Sequence, residues 1–170
     1  MVNLSLMSFL GRSRPYRGIR LIAYPPYQTD ALAEVVDALE IIRKHDEVRF
    51  RRVTRFISRI VVGNWNVVGF YNSIGRVCGL QRRESDDHSR PFIVFGYAAT
   101  IIHEATHGLL DQMRFPYFEK TRKRIERLCV MEEARFLVKF PGLRGRMDIV
   151  LGYVERPTKR KAGVVKGINP

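Results

Sequence analysis

The chain has few cysteines and no long apolar run. Only two of its 170 residues are cysteines, Cys78 and Cys129, and neither belongs to a CxxC pair. This spacing argues against a disulfide framework and against a cysteine zinc site, and it favours a reducing compartment. No stretch reaches the roughly 18 to 20 apolar residues of a membrane span, and NLSLMSFLG lacks the basic start and the length of a secretory signal. We therefore expect a soluble, cytoplasmic protein without a transmembrane segment.

Acidic residues are also scarce relative to basic ones. The chain has 30 lysines and arginines against 17 acidic residues, a formal net charge of +13. Such a charge attracts polyanions, for example nucleic acid or an anionic surface. The cations are spread over several segments, however, and we expect no interleaved aromatic residues of the kind that is typical of single-strand binders. We expect solvated faces, with weak polyanion association as the alternative.

The length and composition predict one folded domain. With 45% hydrophobic residues, a chain of 170 residues can bury a core but is too short for two ordinary domains. Residues 1–18 end in GRSRPYRG and are expected to form a basic arm rather than a packed element. Residues 156–170 are expected to form a basic, disordered tail. Residues 19–155 remain for the domain.

Hydrophobic periodicity predicts an α+β fold. IRLIAYPP is typical of a short strand, and residues 29–46 repeat apolar side chains at helical spacing. VRFRRVTRF is ambiguous and could be a short helix, whereas SRIVVG, NVVGFYN and RVCGLQ indicate two or three strands. FIVFGYAATIIHEATHGLLDQM begins like a strand and becomes helical near Gly96, and YFEKTRKRIERLCVMEEARFLVKF predicts a second long helix. We expect a small sheet of two to four strands packed against these two helices.

The segment TIIHEATHGLL, residues 100–110, places His103, Glu104 and His107 in an otherwise apolar run. Buried polar groups are costly unless they have partners. Residues four apart lie on one face of a helix, so both imidazoles point the same way at a spacing that suits one metal ion. Neutral imidazole is a good zinc ligand. Glu104 lies about 100° around the helix axis, where it can hold a water beside the ion.

HEATH matches the HExxH motif, and its uncharged and apolar neighbours match the stricter form of that motif. In this respect the chain resembles the zinc metallopeptidases of the zincin superfamily. The resemblance implies His103 and His107 as zinc ligands, Glu104 as the general base that activates a zinc-bound water, and a zincin-like fold with strands before the active helix. The ordinary alternative is a buried helix whose histidines are satisfied by hydrogen bonds.

The third ligand distinguishes the zincin subclasses. The other histidines, His45 and His88, both precede His103. This excludes the subclasses that use a downstream histidine. The resemblance is therefore to gluzincins, in which a glutamate of the following helix binds the zinc ion.

Three glutamates of that helix are candidates. Eighteen residues separate His107 from Glu126, which resembles the spacing of aminopeptidase-type gluzincins. MEEARF, which contains Glu132 and Glu133, faintly resembles the Glu-Ala context of thermolysin-like enzymes. A helical hairpin turning near Pro116 favours Glu126, and helical phase places Glu126 and Glu133 on one strip with Glu132 beside it. We rank Glu126 first, Glu133 close behind and Glu132 third.

Alternatives remain for the glutamates and for the function. If Glu126 binds the metal, Glu133 can accept a hydrogen bond from one of the metal ligands. The roles reverse if Glu133 binds the metal. Either could instead pair with Arg122 or Arg127, as helical glutamates commonly do.

The predicted function is zinc-dependent hydrolysis of a peptide or protein substrate. The alternative is a basic nucleic-acid-associated or regulatory binding protein whose metal is structural or absent.

Overall fold

The computed structural model describes residues 12–25, 28–82 and 90–142. Within these residues lie five strands and four helices, numbered here in chain order. The strands are β1 (Arg12–Tyr16), β2 (Ile19–Ala23), β3 (Arg59–Gly63), β4 (Gly69–Asn72) and β5 (Val77–Gln81). The helices are α1 (Gln28–His45), α2 (Glu47–Phe56), α3 (Arg90–Gln112) and α4 (Glu119–Leu137). The predicted α+β class is thus confirmed.

The strands form one mixed sheet in the order β1-β2-β3-β5-β4. β2, β3 and β5 are parallel, whereas β1 pairs antiparallel with β2 and β4 pairs antiparallel with β5. Parallel neighbours need a crossover connection, which α1 and α2 provide between β2 and β3. Among the described residues, β1 and β4 pair on one side only, so they are the two edges of the sheet.

The main hydrophobic core lies between one face of the sheet and the helices. Val35, Leu39 and Ile42 of α1 recur at helical spacing and are fully buried. They belong to the same cluster as Leu21 of β2 and Ile60 of β3. Burial of each such side chain contributes about 1.5–3 kcal/mol relative to exposure. This core fixes the helical layer that carries the histidines.

The sheet has one strand more than the two to four expected. The additional strand is β1, which lies inside the segment predicted as an unpacked arm. Four of its five residues are exposed, so the sequence lacks the apolar alternation by which a strand is recognised. Backbone pairing with β2, from Arg12 with Ala23 to Tyr16 with Ile19, holds it in place. Residues 1–11 of the predicted arm and the predicted tail lie outside the described residues.

The helices also differ in one place from the expectation. FIVF, residues 92–95, was expected to be strand-like but is helical, because α3 already begins at Arg90. Ile93 and Val94 are buried there, and tertiary packing of this kind overrides β propensity. The ambiguous segment VRFRRVTRF is helical and belongs to α2. Within the described part of the chain, no helix combines the length and the apolar character needed to cross a membrane.

Asp46 joins three helices at the junction between α1 and α2. Its carboxylate accepts a hydrogen bond from the backbone amide of Arg49 at 3.1 Å, which caps α2, and another from Lys139, just after α4, at 2.8 Å. Burial opposes ionisation of Asp46, but the hydrogen bonds from Lys139 and Arg49 outweigh it and lower the pKa below the ordinary 3.8. The ionised form is therefore the one that stabilises the fold.

We predict that Asp46→Ala lowers the free energy of unfolding by about 1–3 kcal/mol at neutral pH, because the cap and the partner of two cations are lost. The folded-state pKa is depressed, so this contribution is complete above pH 3.8 and disappears as the pH falls through the folded pKa. Urea unfolding at neutral pH and well below pH 3.8 measures both effects. The exposed Glu47→Ala is the control and should change little. An equal loss at both pH values would contradict the ionic contribution.

Candidate metal centre

The candidate site lies between α3 and α4, which pack along each other. His103, Glu104 and His107 are on α3, and Glu126 and Glu133 are on α4. The spacing of four residues stacks the two imidazoles on one side of α3, with ring centroids 4.9 Å apart. The structure thus brings all five residues predicted for the site together.

One oxygen of Glu126 faces both histidines. Its Oε2 lies 3.3 Å from Nε2 of His103 and 3.7 Å from Nε2 of His107. Two ligands bound to a tetrahedral zinc ion at about 2.0–2.2 Å lie roughly 3.4 Å apart. The distances from the Glu126 carboxylate to the two ring nitrogens therefore match the distance expected between two ligands of one zinc ion. Its other oxygen accepts a hydrogen bond from the Tyr117 hydroxyl at 2.6 Å, which orients the carboxylate.

Glu133 holds the opposite nitrogen of His103. Nδ1 of His103 is hydrogen-bonded to Oε1 of Glu133, a residue that is only 3% exposed. A carboxylate in this position fixes the tautomer and ring orientation of a ligating histidine and raises its basicity. Within the described residues, neither Glu133 nor Glu126 pairs with Arg122 or Arg127.

Glu132, ranked third, lies away from the histidines. It pairs with Arg52 at 2.7 Å and with Arg49 at 3.2 Å, both on α2, and with Arg135 at 2.6 Å. Arg52 also donates to the Thr106 hydroxyl on α3 at 3.1 Å. Glu132 therefore links α4 to α2 directly, and to α3 through Arg52.

Glu104 is buried against the first residue of β4. A Cβ placed on Gly69 would lie 2.8 Å from Oε1 of Glu104, so the carboxylate reaches the start of this edge strand. Burial raises the pKa of Glu104 to about 7, although the charges on the neighbouring histidines lower it. A carboxylate with a pKa near neutrality can both accept and release a proton in that pH range.

The centre contains more carboxylates than imidazoles. Burial favours neutral His103, but hydrogen bonds to Glu126 and Glu133 outweigh it and raise the pKa of His103 to about 10. Hydrogen bonds to His103 and His107 in turn lower the pKa of Glu126. Since a metal ion binds imidazole nitrogen in place of a proton, this set of donors and charges fits a divalent cation.

Cys129 is a donor that the sequence analysis left out of the site. Its Sγ and one ring nitrogen from each of His103 and His107 all lie within 4.8 Å of one another. Burial, followed by the charges of Glu126 and nearby carboxylates, raises the pKa of the Cys129 thiol. Cys129 follows Glu126 by three residues and therefore shares its side of α4. That spacing is the sequence signal for Cys129, which the absence of a CxxC pair does not remove.

No family model, curated protein or solved structure matches the chain. Its function is therefore inferred from the geometry of the α3–α4 centre and from the HExxH resemblance.

We predict that Gly69→Ala destabilises the protein, because Gly69 leaves the space that Glu104 occupies. The added Cβ would lie 2.5 Å from Thr100 Cγ2 and 2.8 Å from the Glu104 carboxylate, so the side chains or β4 must move. We expect a loss of about 1–3 kcal/mol in the free energy of unfolding, measured by urea denaturation. At Gly142 an added Cβ meets no atom of the described residues within 4 Å, so Gly142→Ala is the control. Equal stability of the two variants would show that Gly69 is not tightly packed.

Proposed function

We propose that the protein is a zinc-dependent peptidase of gluzincin-like type, with His103, His107 and Glu126 as the metal ligands. The observation that supports this most is the position of Glu126 Oε2, which approaches both Nε2 atoms from the neighbouring helix. The number of residues between His107 and Glu126 favours Glu126 as the third ligand, and this geometry agrees with that preference. When bound, zinc polarises a carbonyl and lowers the pKa of a coordinated water to about 7.

Glu104 is the proposed general base and acid. It accepts a proton from the attacking water and delivers it to the leaving amine, so that one water is consumed for each peptide bond cleaved. Burial raises its pKa to about 7, and the charge of a bound cation would favour the ionised form that accepts the proton. Glu133 is a positioning residue that acts through the Nδ1 of His103.

β4 is the strand proposed to align the substrate. It is an edge strand among the described residues, so an extended peptide can pair with its free backbone groups. Because Gly69 at the start of β4 lies against Glu104, a peptide held there passes beside the proposed base. A zincin-like arrangement of sheet and active helix forms part of this proposal.

Tyr117 is the proposed donor to the developing oxyanion. Its ring lies 5.8 Å from the ring of His107, centroid to centroid. Burial and the hydrogen bond to Glu126 raise the pKa of Tyr117 to about 12, so its hydroxyl stays protonated at neutral pH. The hydroxyl has one proton, which Glu126 Oε1 accepts, so the proposed hydrogen bond to the tetrahedral oxyanion requires the Tyr117 hydroxyl to turn away from Glu126.

Cys129 favours a second candidate function. Two histidines, a glutamate and a cysteine make four donors, and four protein ligands are typical of a structural zinc site, whereas a catalytic site keeps a position open. The protein would then be a basic, metal-stabilised binding protein. Cys129→Ala separates the two candidates: a peptidase keeps its metal and activity, and a structural site loses metal affinity and stability.

We predict that Glu126→Ala abolishes tight zinc binding, whereas Glu133→Ala weakens it by about 10–100-fold. Zinc analysis and competition with a chromophoric chelator, on the two variants side by side, measure both effects. Glu119→Ala is the matched control, because this glutamate lies on the same helix, is exposed and has no ion pair among the described residues. Undiminished zinc binding in both Glu126→Ala and Glu133→Ala would remove the gluzincin interpretation.

We predict that Glu104→Gln lowers peptide hydrolysis by roughly 10²–10⁴-fold and leaves bound zinc in place. The amide can still donate and accept hydrogen bonds but cannot take the proton. A mixture of quenched fluorogenic peptides reports activity, and zinc analysis of the same sample reports metal. His103→Ala should lose both. Equal hydrolysis by Glu104→Gln and wild type would contradict the assigned role, and zinc-loaded wild type that cleaves no peptide would favour the structural site.

A further inference from the structure

The connection from α3 to α4 carries exposed aromatic and basic side chains next to one another. We call this the aromatic–basic surface, made up of Arg114, Phe115, Phe118, Lys120, Lys123 and Arg124. All six residues are exposed. They come from the segment RFPYFEKTRKR, residues 114–124. The surface lies at the end of α4 nearest the candidate metal centre but is distinct from the proposed ligands.

Exposed aromatic residues are concentrated here. Phe118 is 69% exposed and Phe115 is 38% exposed. Within the described part of the chain, the large aromatic side chains that are exposed all fall between residues 115 and 118. Single exposed apolar residues are ordinary, but a contiguous group bordered by polar residues marks an interaction site. The flat rings offer stacking faces to a partner.

The cations lie on the side of α4 that faces away from the centre. Lys120, Lys123 and Arg124 are spaced three and four residues apart, so they share one side of the helix. No ion pair or hydrogen bond of these side chains is found among the described residues. Positive charge near a helix N-terminus is unfavourable for the helix dipole, and an anion bound there relieves it.

Arg114 adds a cation where the backbone favours another residue. It ends α3 with a φ of 56°, in the left-handed region, where glycine or asparagine is usual. The Phe115 amide then bonds to the Leu110 carbonyl at 3.0 Å, which closes the helix end. Arginine at this position therefore adds an exposed cation next to Phe115 in the sequence, at a conformational cost.

We propose that the aromatic–basic surface binds single-stranded nucleic acid. Phosphates pair with Arg114, Lys120 and Lys123, while unpaired bases stack on Phe115 and Phe118. A duplex hides its base faces, and an acidic peptide supplies charge without planar rings, so neither uses both halves of the surface. The segment RFPYFEKTRKR places aromatic residues among basic ones, which differs from the expectation that such interleaving is absent. The proposal does not depend on the peptidase function.

The test is fluorescence anisotropy of a labelled oligothymidylate with the chain of residues 1–170, over a range of salt concentrations. Phe118→Ala should weaken binding roughly tenfold at each salt concentration, because a stacked base is lost. Lys120→Gln/Lys123→Gln should make the slope of log affinity against log salt shallower by about 1.4. Arg51→Gln/Arg55→Gln is the matched control, since it removes the same charge from exposed positions on α2 and should leave the slope nearly unchanged.

Several results would overturn the proposal. One is no measurable binding at low salt, and another is full affinity in Phe118→Ala. A third is an equal change of slope in the two double variants, which would indicate attraction by net charge alone. Competition by an equal length of duplex or of polyglutamate, as effective as the unlabelled oligothymidylate, would likewise exclude a single-strand site. Circular dichroism of each variant checks that the helices are retained.

Discussion

His103 is held at both of its ring nitrogens by carboxylates of α4, and the candidate site depends on this contact. Glu126 faces Nε2 and Glu133 binds Nδ1, so the ring is aligned before any ligand arrives. The contact also explains why an apolar helix tolerates polar residues at these positions. Buried charges are costly alone, but opposite charges that share hydrogen bonds offset much of that cost. α3 and α4 are thereby held in register.

A second set of ion pairs supports this contact from behind. Arg52 joins Glu132 on α4 to Thr106 on α3, and Asp46 joins the start of α2 to the end of α4. These bonds hold α2 against both site-bearing helices. The centre is therefore enclosed by helices on one side and by the β4 edge on the other, and its side chains are positioned by elements of regular structure rather than by loops.

The local parts of the site could be predicted from sequence. Helical spacing alone places His103 and His107 together, and the length of the following connection favours Glu126 as the residue that returns beside them. β1 could not be predicted, because an exposed edge strand carries no apolar alternation and is held by backbone pairing. Cys129 could not be recognised from cysteine spacing, because it has no CxxC partner. The start of α3 has strand-like propensity, but burial rather than propensity decides its conformation.

The two edges of the sheet differ in how they receive another chain. β1 carries Arg12, Arg14 and Pro15, and a proline lacks the amide that an added strand would need. Charged side chains and proline at an edge discourage unwanted association and aggregation. β4, with the sequence GFYN, contains neither a charged residue nor a proline. Another strand would thus pair more readily with β4 than with β1, and the four residues of β4 would limit the paired stretch to roughly 13 Å, a short segment of a polypeptide.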